Sequence, residues 1–352
     1  MHRRLAVSLF RYTVSLIFAL AIGLGFFVWW AVGDQLPTFS KLDTVADNNA
    51  VIPAAKNTFS IASYNIGHGQ GVKEQAWDHR DKATTEKQLN MIANAMSKMD
   101  ADIFLLQEVD LDSNRTYRID QIEFIKKRTG HAFHACATVW EKNYVPFPFW
   151  PPAHHIGYVR AANCVLSRFP LKNHQRIIFD KPESYPFWYN WGYIDRGIER
   201  VDVQIGDKTI ALLNVHFEAW ETQAREKQIQ ETKKYMDSIH TPIILAGDFN
   251  TVLPDAPKKD GFLDDPDAHF DKDSTFTWFF KHAPEMYAIA PKSKNNNPFD
   301  LYTFPSNMPD RRLDHIYISK ASLSFLEFRV VKEAELASDH LPVYARIKFS
   351  KL

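Results

Sequence analysis

Cysteine is nearly missing. Two residues in 352, in no CxxC or Cys/His spacing, exclude a disulfide scaffold and a thiolate zinc site. Net charge is missing as well: 42 basic side chains stand against 42 acidic ones, so no excess positive field draws in a polyanion such as nucleic acid. No internal repeat occurs, and no second linker splits the chain after residue 58. The composition, 45% apolar and 24% charged, is not that of a disordered chain, a collagen or a coiled coil, and provides apolar mass for a large core. Aromatics are in excess at 14%, 26 of them Phe, and where they sit bears on function.

One long apolar run breaks the pattern. Tyr12 to Val32 reads YTVSLIFALAIGLGFFVWWAV, uncharged and long enough to cross a hydrocarbon core of about 30 Å at roughly 1.5 Å per helical residue. Residues 12–33 are read as a transmembrane anchor. Arg3, Arg4 and Arg11 precede it and Asp34 follows, so the positive-inside rule places residues 1–11 in the cytoplasm and the rest of the chain outside it. Trp29 and Trp30 fall where an interfacial aromatic belt would lie. A cleaved secretory signal is the rival reading, but its apolar region is usually shorter and ends in a small-x-small site that Trp-Trp-Ala-Val-Gly-Asp lacks. A buried core helix is the third reading, and the flanking charge asymmetry speaks against it. Cys136 and Cys164 would then face an oxidising compartment, where a disulfide is open to them. Each lies in an apolar, strand-like run, so two buried free thiols are the expectation.

Residues 34–57 carry Pro37, Asp47, Asn48, Asn49 and Pro53 without a sustained period and read as a linker. From residue 58 to 352 strands and helices alternate in one α/β domain. FSIASYNI and ADIFLLQEV are buried strands, and between them Leu89, Ile92, Ala93 and Met96 give a helix one buried face. HAFHACATVW and AANCVLSRF are two further strands, and RVDVQI and KTIALLNVHF are joined across a turn at Gly206-Asp207. Ala224 to Ile239 is a charged helix; PIILAGDFN, LDHIYIS and LPVYARIKFS are strands.

Several buried strands run into polar residues at an end, where α/β proteins display their chemistry. These residues are Asn65, Glu108, His216, Asp248 and Asn250, then Asp314 and His315, and Asp339 with His340. The set is rich in oxygen and has no thiolate, which suits a hard cation such as Mg²⁺ or Mn²⁺.

In order and spacing, SYNI, LLQEV, NVHFE, AGDFN, RRLDHIYIS and SDHLPV resemble the endonuclease/exonuclease/phosphatase superfamily over about Thr58 to Phe349. That group includes pancreatic-type deoxyribonucleases, abasic-site endonucleases, inositol polyphosphate phosphatases and neutral sphingomyelinases. The resemblance implies a four-layered α/β sandwich, two packed mixed β-sheets flanked by helices, here preceded by one transmembrane helix. It implies a hydrolase of phosphate esters in which Glu108 is the principal metal ligand, with Asn65 and Asp339 beside it. His340 would be the general acid/base, oriented by Asp314. Asp248 and Asn250 would position the attacking water and phosphoryl oxygens, and His216 would donate to the phosphate. Arg196 would contact the phosphate, with Arg200 as a competitor for that role. His68 and His315 receive no role and are read as site-wall or structural residues, and Glu218 is an open candidate for a further site carboxylate.

Fold and catalytic set do not choose a substrate. Without Arg3, Arg4 and Arg11 the chain has 39 basic and 42 acidic groups, a net charge of about −3 that argues against duplex nucleic acid. Two aromatic, Pro-interrupted segments, 144–158 and 185–193, flank AANCVLSRFPL and read as insertions near the mouth of the site. Such rings embed at the headgroup level of a bilayer, or else pack as a lid over the sandwich. The leading expectation is a membrane-facing phosphodiesterase acting on a lipid or lipid-linked headgroup. The alternative is an extracytoplasmic nuclease whose rings stack on bases, and an inactive binding module stands last.

Overall fold

Alternation inside single strands decides the layering. In the run IFLLQEVD, Ile103 and Leu105 pack into a core with Phe59, Ile61, Leu212, Ile244 and Ile316, whereas Phe104 and Leu106 turn to the opposite face. There they meet Leu89, Ile92, Ala93 and Met96, the stripe expected of the first helix of the domain. A second outer layer forms in the same way, with Leu213 and Leu245 packed against Ile229, Met236, Phe276 and Phe279. The result is helices, sheet, sheet, helices, with the largest apolar cluster between the sheets.

The computed structural model describes residues 2–72, 81–288 and 298–350. Its helices are α1 (His2–Val32), α2 (Lys82–Met99), α3 (Gln121–Thr129), α4 (Phe187–Asn190), α5 (Thr222–Met236) and α6 (Thr275–His282). The first half of the strands comprises β1 (Phe39–Leu42), β2 (Val45–Ala46), β3 (Thr58–Asn65), β4 (Ile103–Asp110), β5 (Phe133–Val145), β6 (Gly157–Ser167) and β7 (Leu171–Ile178). The second comprises β8 (Gly197–Ile205), β9 (Lys208–His216), β10 (Ile243–Asp248), β11 (Met286–Ala288), β12 (Asp314–Ser319), β13 (Leu323–Val330) and β14 (Val343–Phe349). One sheet runs β1-β7-β8-β9-β10-β12-β11 and the other β13-β14-β3-β4-β6-β5-β2.

Each sheet holds one parallel pair, β3/β4 crossed by α2 and β9/β10 crossed by α5; the other pairs are antiparallel. Parallel neighbours end on the same side, so Asn65 lies beside Gln107 and Asp248 beside His216. Antiparallel β12 begins where β10 ends, with Asp314 opposite Asp248, and the start of β14 lies against the end of β3. Just beneath these strand ends a polar bridge joins the sheets. Gln107 donates to Asn214 Oδ1 at 2.6 Å, Asn214 donates to Glu199 Oε2 at 3.0 Å, and His174 meets the other Glu199 oxygen at 3.1 Å.

Two expectations need correction. The segment 34–57 is more than a linker: β1 pairs with β7 and β2 with β5, extending one edge of each sheet. Strands this short carry no readable period; their partners define them. Cys136 and Cys164 are joined in a disulfide and are not free thiols. They are directly opposed on β5 and β6, a juxtaposition set by strand register, which neither local sequence reveals.

The helix α1 continues to the domain without a break. Gly33, at φ +66°, closes it by donating to Trp30 O at 3.1 Å, and Asn143 Nδ2 of β5 donates to the same carbonyl at 2.8 Å. Residues Val7–Val32 are long and apolar enough to cross a membrane.

Candidate active site

Glu108 comes into the site through a bulge. The register of β4 on β6 shifts between Leu106 and Val109, and Glu108 takes φ +55°. Its Oε1 accepts from Asn65 Nδ2 at 3.2 Å and lies 3.7 Å from His216 Nε2; its Oε2 lies 3.0 Å from His68 Nε2. Burial alone would raise this carboxyl, but His68, His216 and Arg196 hold it well below the usual carboxylate range.

The second sheet supplies the opposite wall. Asp248 Oδ2 accepts from Asn65 Nδ2 at 3.0 Å and stands 3.5 Å from His216 Nε2 and 3.6 Å from His340 Nε2. Burial and the neighbouring Asp314 push its carboxyl up to about 7, against the opposing pull of His340. Asn250, at φ +49°, donates its backbone NH to Asp248 Oδ1 at 2.9 Å and its side-chain amide to Phe217 O. His340 Nδ1 meets Asp314 Oδ2 at 2.9 Å. Burial would lower this imidazole, yet Asp314 and Asp248 raise it to about 10, so it is held as the imidazolium. Asp339 is also raised, by burial and by Glu108.

Nine residues singled out from the sequence therefore gather at one end of the two sheets. Arg196 and not Arg200 reaches the site: the Arg196 guanidinium lies against the ring of His216, while Arg200 pairs with Asp202. With burial, Arg196 keeps His216 neutral. Glu218 turns away; it accepts from Tyr193 Oη at 2.5 Å and from Trp220 N, tying down the aromatic segment. His315 is structural, packed between Phe249 and Phe276.

His68 is the residue that sequence reasoning undervalued. Beyond Glu108, its Nδ1 lies 2.9 Å from Arg115 Nη2 and 3.4 Å from Asp110, and Arg115 is itself clamped on Asp110. The signal was the glycine spacing in GHGQG. Gly67, His68 and Gly69 all have positive φ, and a Cβ on Gly67 would stand 2.7 Å from Asp339 Oδ1. Phe304, 4.6 Å from the His340 ring, is a second wall with no signal in the sequence.

Four carboxylates, two amides and imidazole nitrogens, without sulfur, form a donor set for a hard divalent ion. Burial raises the carboxyls of Asp248 and Asp339, and the neighbouring Asp314 and Glu108 add to the rise, so negative charge is concentrated here. Ligand atoms of Asp248, Asp314 and His340 lie within 4.8 Å of one another, close enough to hold an ion. His340 Nδ1 is already engaged by Asp314, so the trio also has the geometry of an imidazole–carboxylate pair facing a second carboxylate.

The sequence matches the Endonuclease/Exonuclease/phosphatase family over residues 62–340, a span that contains every residue of this cluster. The chain belongs to that family. Members of the Endonuclease/Exonuclease/phosphatase family hydrolyse phosphate esters with divalent metals, and this protein is such a hydrolase. Solved structures share the fold. An endonuclease/exonuclease/phosphatase from Beutenbergia cavernae superposes with TM-score 0.57 at 16% identity, covering 84% of this chain and 72% of its own. The human Nocturnin catalytic domain with bound sulfate gives 0.53 at 17% identity, with 88% and 97% covered. D. rerio TDP2 complexed with single-strand DNA product gives 0.54 at 15%, with 83% and 100% covered. No curated protein matches the chain.

The cluster lies in a cleft of about 1430 Å³. Both aromatic segments border it, through Phe147, Phe149, Trp188 and Trp191 among others, and so does the end of α1, through Phe27, Val28, Ala31 and Val32.

Proposed function

We propose that this family member is a membrane-anchored phosphodiesterase that hydrolyses a lipid or lipid-linked headgroup outside the cytoplasm. One observation carries the reading: the cleft that holds Glu108, His216, Asp248 and His340 is walled by exposed aromatics and by the end of a helix of membrane-spanning length. Phe149, Trp150, Phe187 and Trp188 are each more than half exposed, as interfacial rings are. The disulfide fits an oxidising compartment, in agreement with the charge asymmetry around α1.

Glu108, Asn65 and Asp339 would hold Mg²⁺ or Mn²⁺. An ion held there would supply Lewis-acid neutralisation of the charge on the phosphoryl oxygens. The protein's own groups do the rest. Asp248 and Asn250 orient the attacking water, and neutral His216 with Arg196 donates to a phosphoryl oxygen. His340, fixed in tautomer and orientation by Asp314, exchanges the proton that the reaction moves.

The nuclease reading has its own support, since the rings bordering the cleft could stack on bases and one structural relative carries a single-strand DNA product. Full-length protein with Mg²⁺, assayed on liposomes and on single-stranded and duplex DNA, separates the two. Headgroup release without nicking is the expected result, and nicking without headgroup release overturns it.

A further inference from the structure

We infer that the last turns of α1 form a wall of the substrate site, and that the apolar margin of the cleft takes the hydrocarbon of a bilayer lipid. The enzyme then acts in cis, on lipids of the leaflet beside its own domain. This inference rests on the lipid reading above and assigns the helix a binding role beyond tethering.

Length gives the first argument. Counted from Tyr12, the first residue after Arg11, about 20 helical residues cross a hydrocarbon core of about 30 Å, so the core ends near Ala31. The last turn of α1, Trp29 to Val32, therefore stands at the boundary with the headgroup layer, next to the depth of a lipid's phosphodiester.

Attachment gives the second. A simple tether would leave the domain through a loose joint, but here the joint is closed. Asn143 caps the carbonyl of Trp30, Gly33 turns the chain, and the Tyr144 ring packs 5.8 Å from Phe27 and 6.5 Å from Trp30. Tyr144 is itself held by His155 Nδ1 at 2.5 Å, across the base of the aromatic segment.

The third argument is sidedness. Phe27, Val28, Ala31 and Val32 recur at helical spacing and face the cleft, whereas Trp29, 71% exposed, points away from it. Phe147 and Phe149 line the same cleft. An apolar cleft margin built partly from a membrane helix is continuous with the bilayer, so a lipid chain enters it without crossing water, where each exposed CH₂ would cost about 0.8 kcal/mol.

The test uses the full chain reconstituted with Mg²⁺ into vesicles of phosphatidylcholine, phosphatidylethanolamine and phosphatidylglycerol in equal parts. Bis(p-nitrophenyl) phosphate serves as a soluble diester. Val28→Trp, which fills the margin, lowers the ratio of lipid to soluble-diester turnover at least tenfold, and Phe27→Ala lowers it several-fold. Leu16→Trp, on α1 but remote from the cleft, keeps the wild-type ratio. Melting curves check the folding of each variant. A second arm needs no variant: with labelled lipids in only one vesicle population, hydrolysis is at least tenfold faster when the enzyme shares that population. An unchanged ratio in Val28→Trp, or equal rates in cis and in trans, overturns the inference while leaving lipid hydrolysis standing. Soluble-diester turnover with no lipid hydrolysis at all overturns the lipid reading and the inference together.

Discussion

Asp314→Asn is the sharpest probe of the acid/base pair proposed for Asp314 and His340. The carboxylate is fully buried, and its Oδ2 lies 2.9 Å from His340 Nδ1. At an effective dielectric of about 20, opposite unit charges at that distance attract by about 6 kcal/mol. The amide keeps the volume and removes the charge; its NH₂ turned toward Nδ1 would also select the wrong tautomer. A second route to the magnitude is the serine-protease triad, where the corresponding Asp→Asn change lowers kcat by about 10⁴, or roughly 5 kcal/mol at 1.36 kcal/mol per tenfold. The two routes agree, and the variant is expected to lose three to four orders of magnitude in kcat (~10³–10⁴), with KM little changed. Turnover of bis(p-nitrophenyl) phosphate in saturating Mn²⁺, with a melting curve on the same sample, reads the result. A folded variant that retains kcat within tenfold of wild type would mean that Asp314 does not act through His340.

Three further outcomes are expected. Chelation by EDTA abolishes turnover and added Mg²⁺ or Mn²⁺ restores it; His68→Ala, which strips the support from Glu108, raises the metal concentration for half-maximal activity about 10–100-fold. Gly67→Ala combines a positive φ with a Cβ 2.7 Å from Asp339 Oδ1, so it should cost about 1–2 kcal/mol in chemical unfolding and displace Asp339, depressing activity more than stability. His131 is buried against Ala101 O, and burial holds it near pKa 4, so below about pH 6.5 the unfolded chain binds a proton that the native one refuses. Its stabilising contribution is complete above pH 6.5 and is lost as pH falls toward 4. Chemical unfolding in mild detergent should show His131→Asn losing about 2 kcal/mol less than wild type between pH 7 and 4.5.

What the sequence disclosed follows from where the information resides. Buried strands with apolar side chains on both faces and the α2 stripe are local patterns, so β3, β4, β9, β10 and their helices were legible. The residues that gather at the strand ends were legible because they lie in six short segments that recur in the family's order. Edge strands β1 and β2 were not, since a few residues acquire strand geometry only from a neighbour. Partner choice was equally hidden. Nothing local shows that Cys136 faces Cys164, that Arg196 and not Arg200 reaches His216, or that Glu218 turns toward Tyr193. Each depends on strand register or loop path. Nor did the composition of α1 reveal that Ala31 and Val32 border the cleft, because a membrane-length run looks alike on all sides.

The polar bridge beneath the strand ends has a consequence for how activity arises. Asn65 and Glu108 belong to one sheet, His216 and Asp248 to the other, and Gln107 and Asn214 set the spacing between them from one and two residues away. Neither sheet alone carries a complete site. On the proposed reading, catalytic competence is a property of the seam, and turnover begins only once both sheets have folded and docked. An interior substitution such as Gln107→Leu, which touches no substrate, would detune the chemistry by letting the two halves slide.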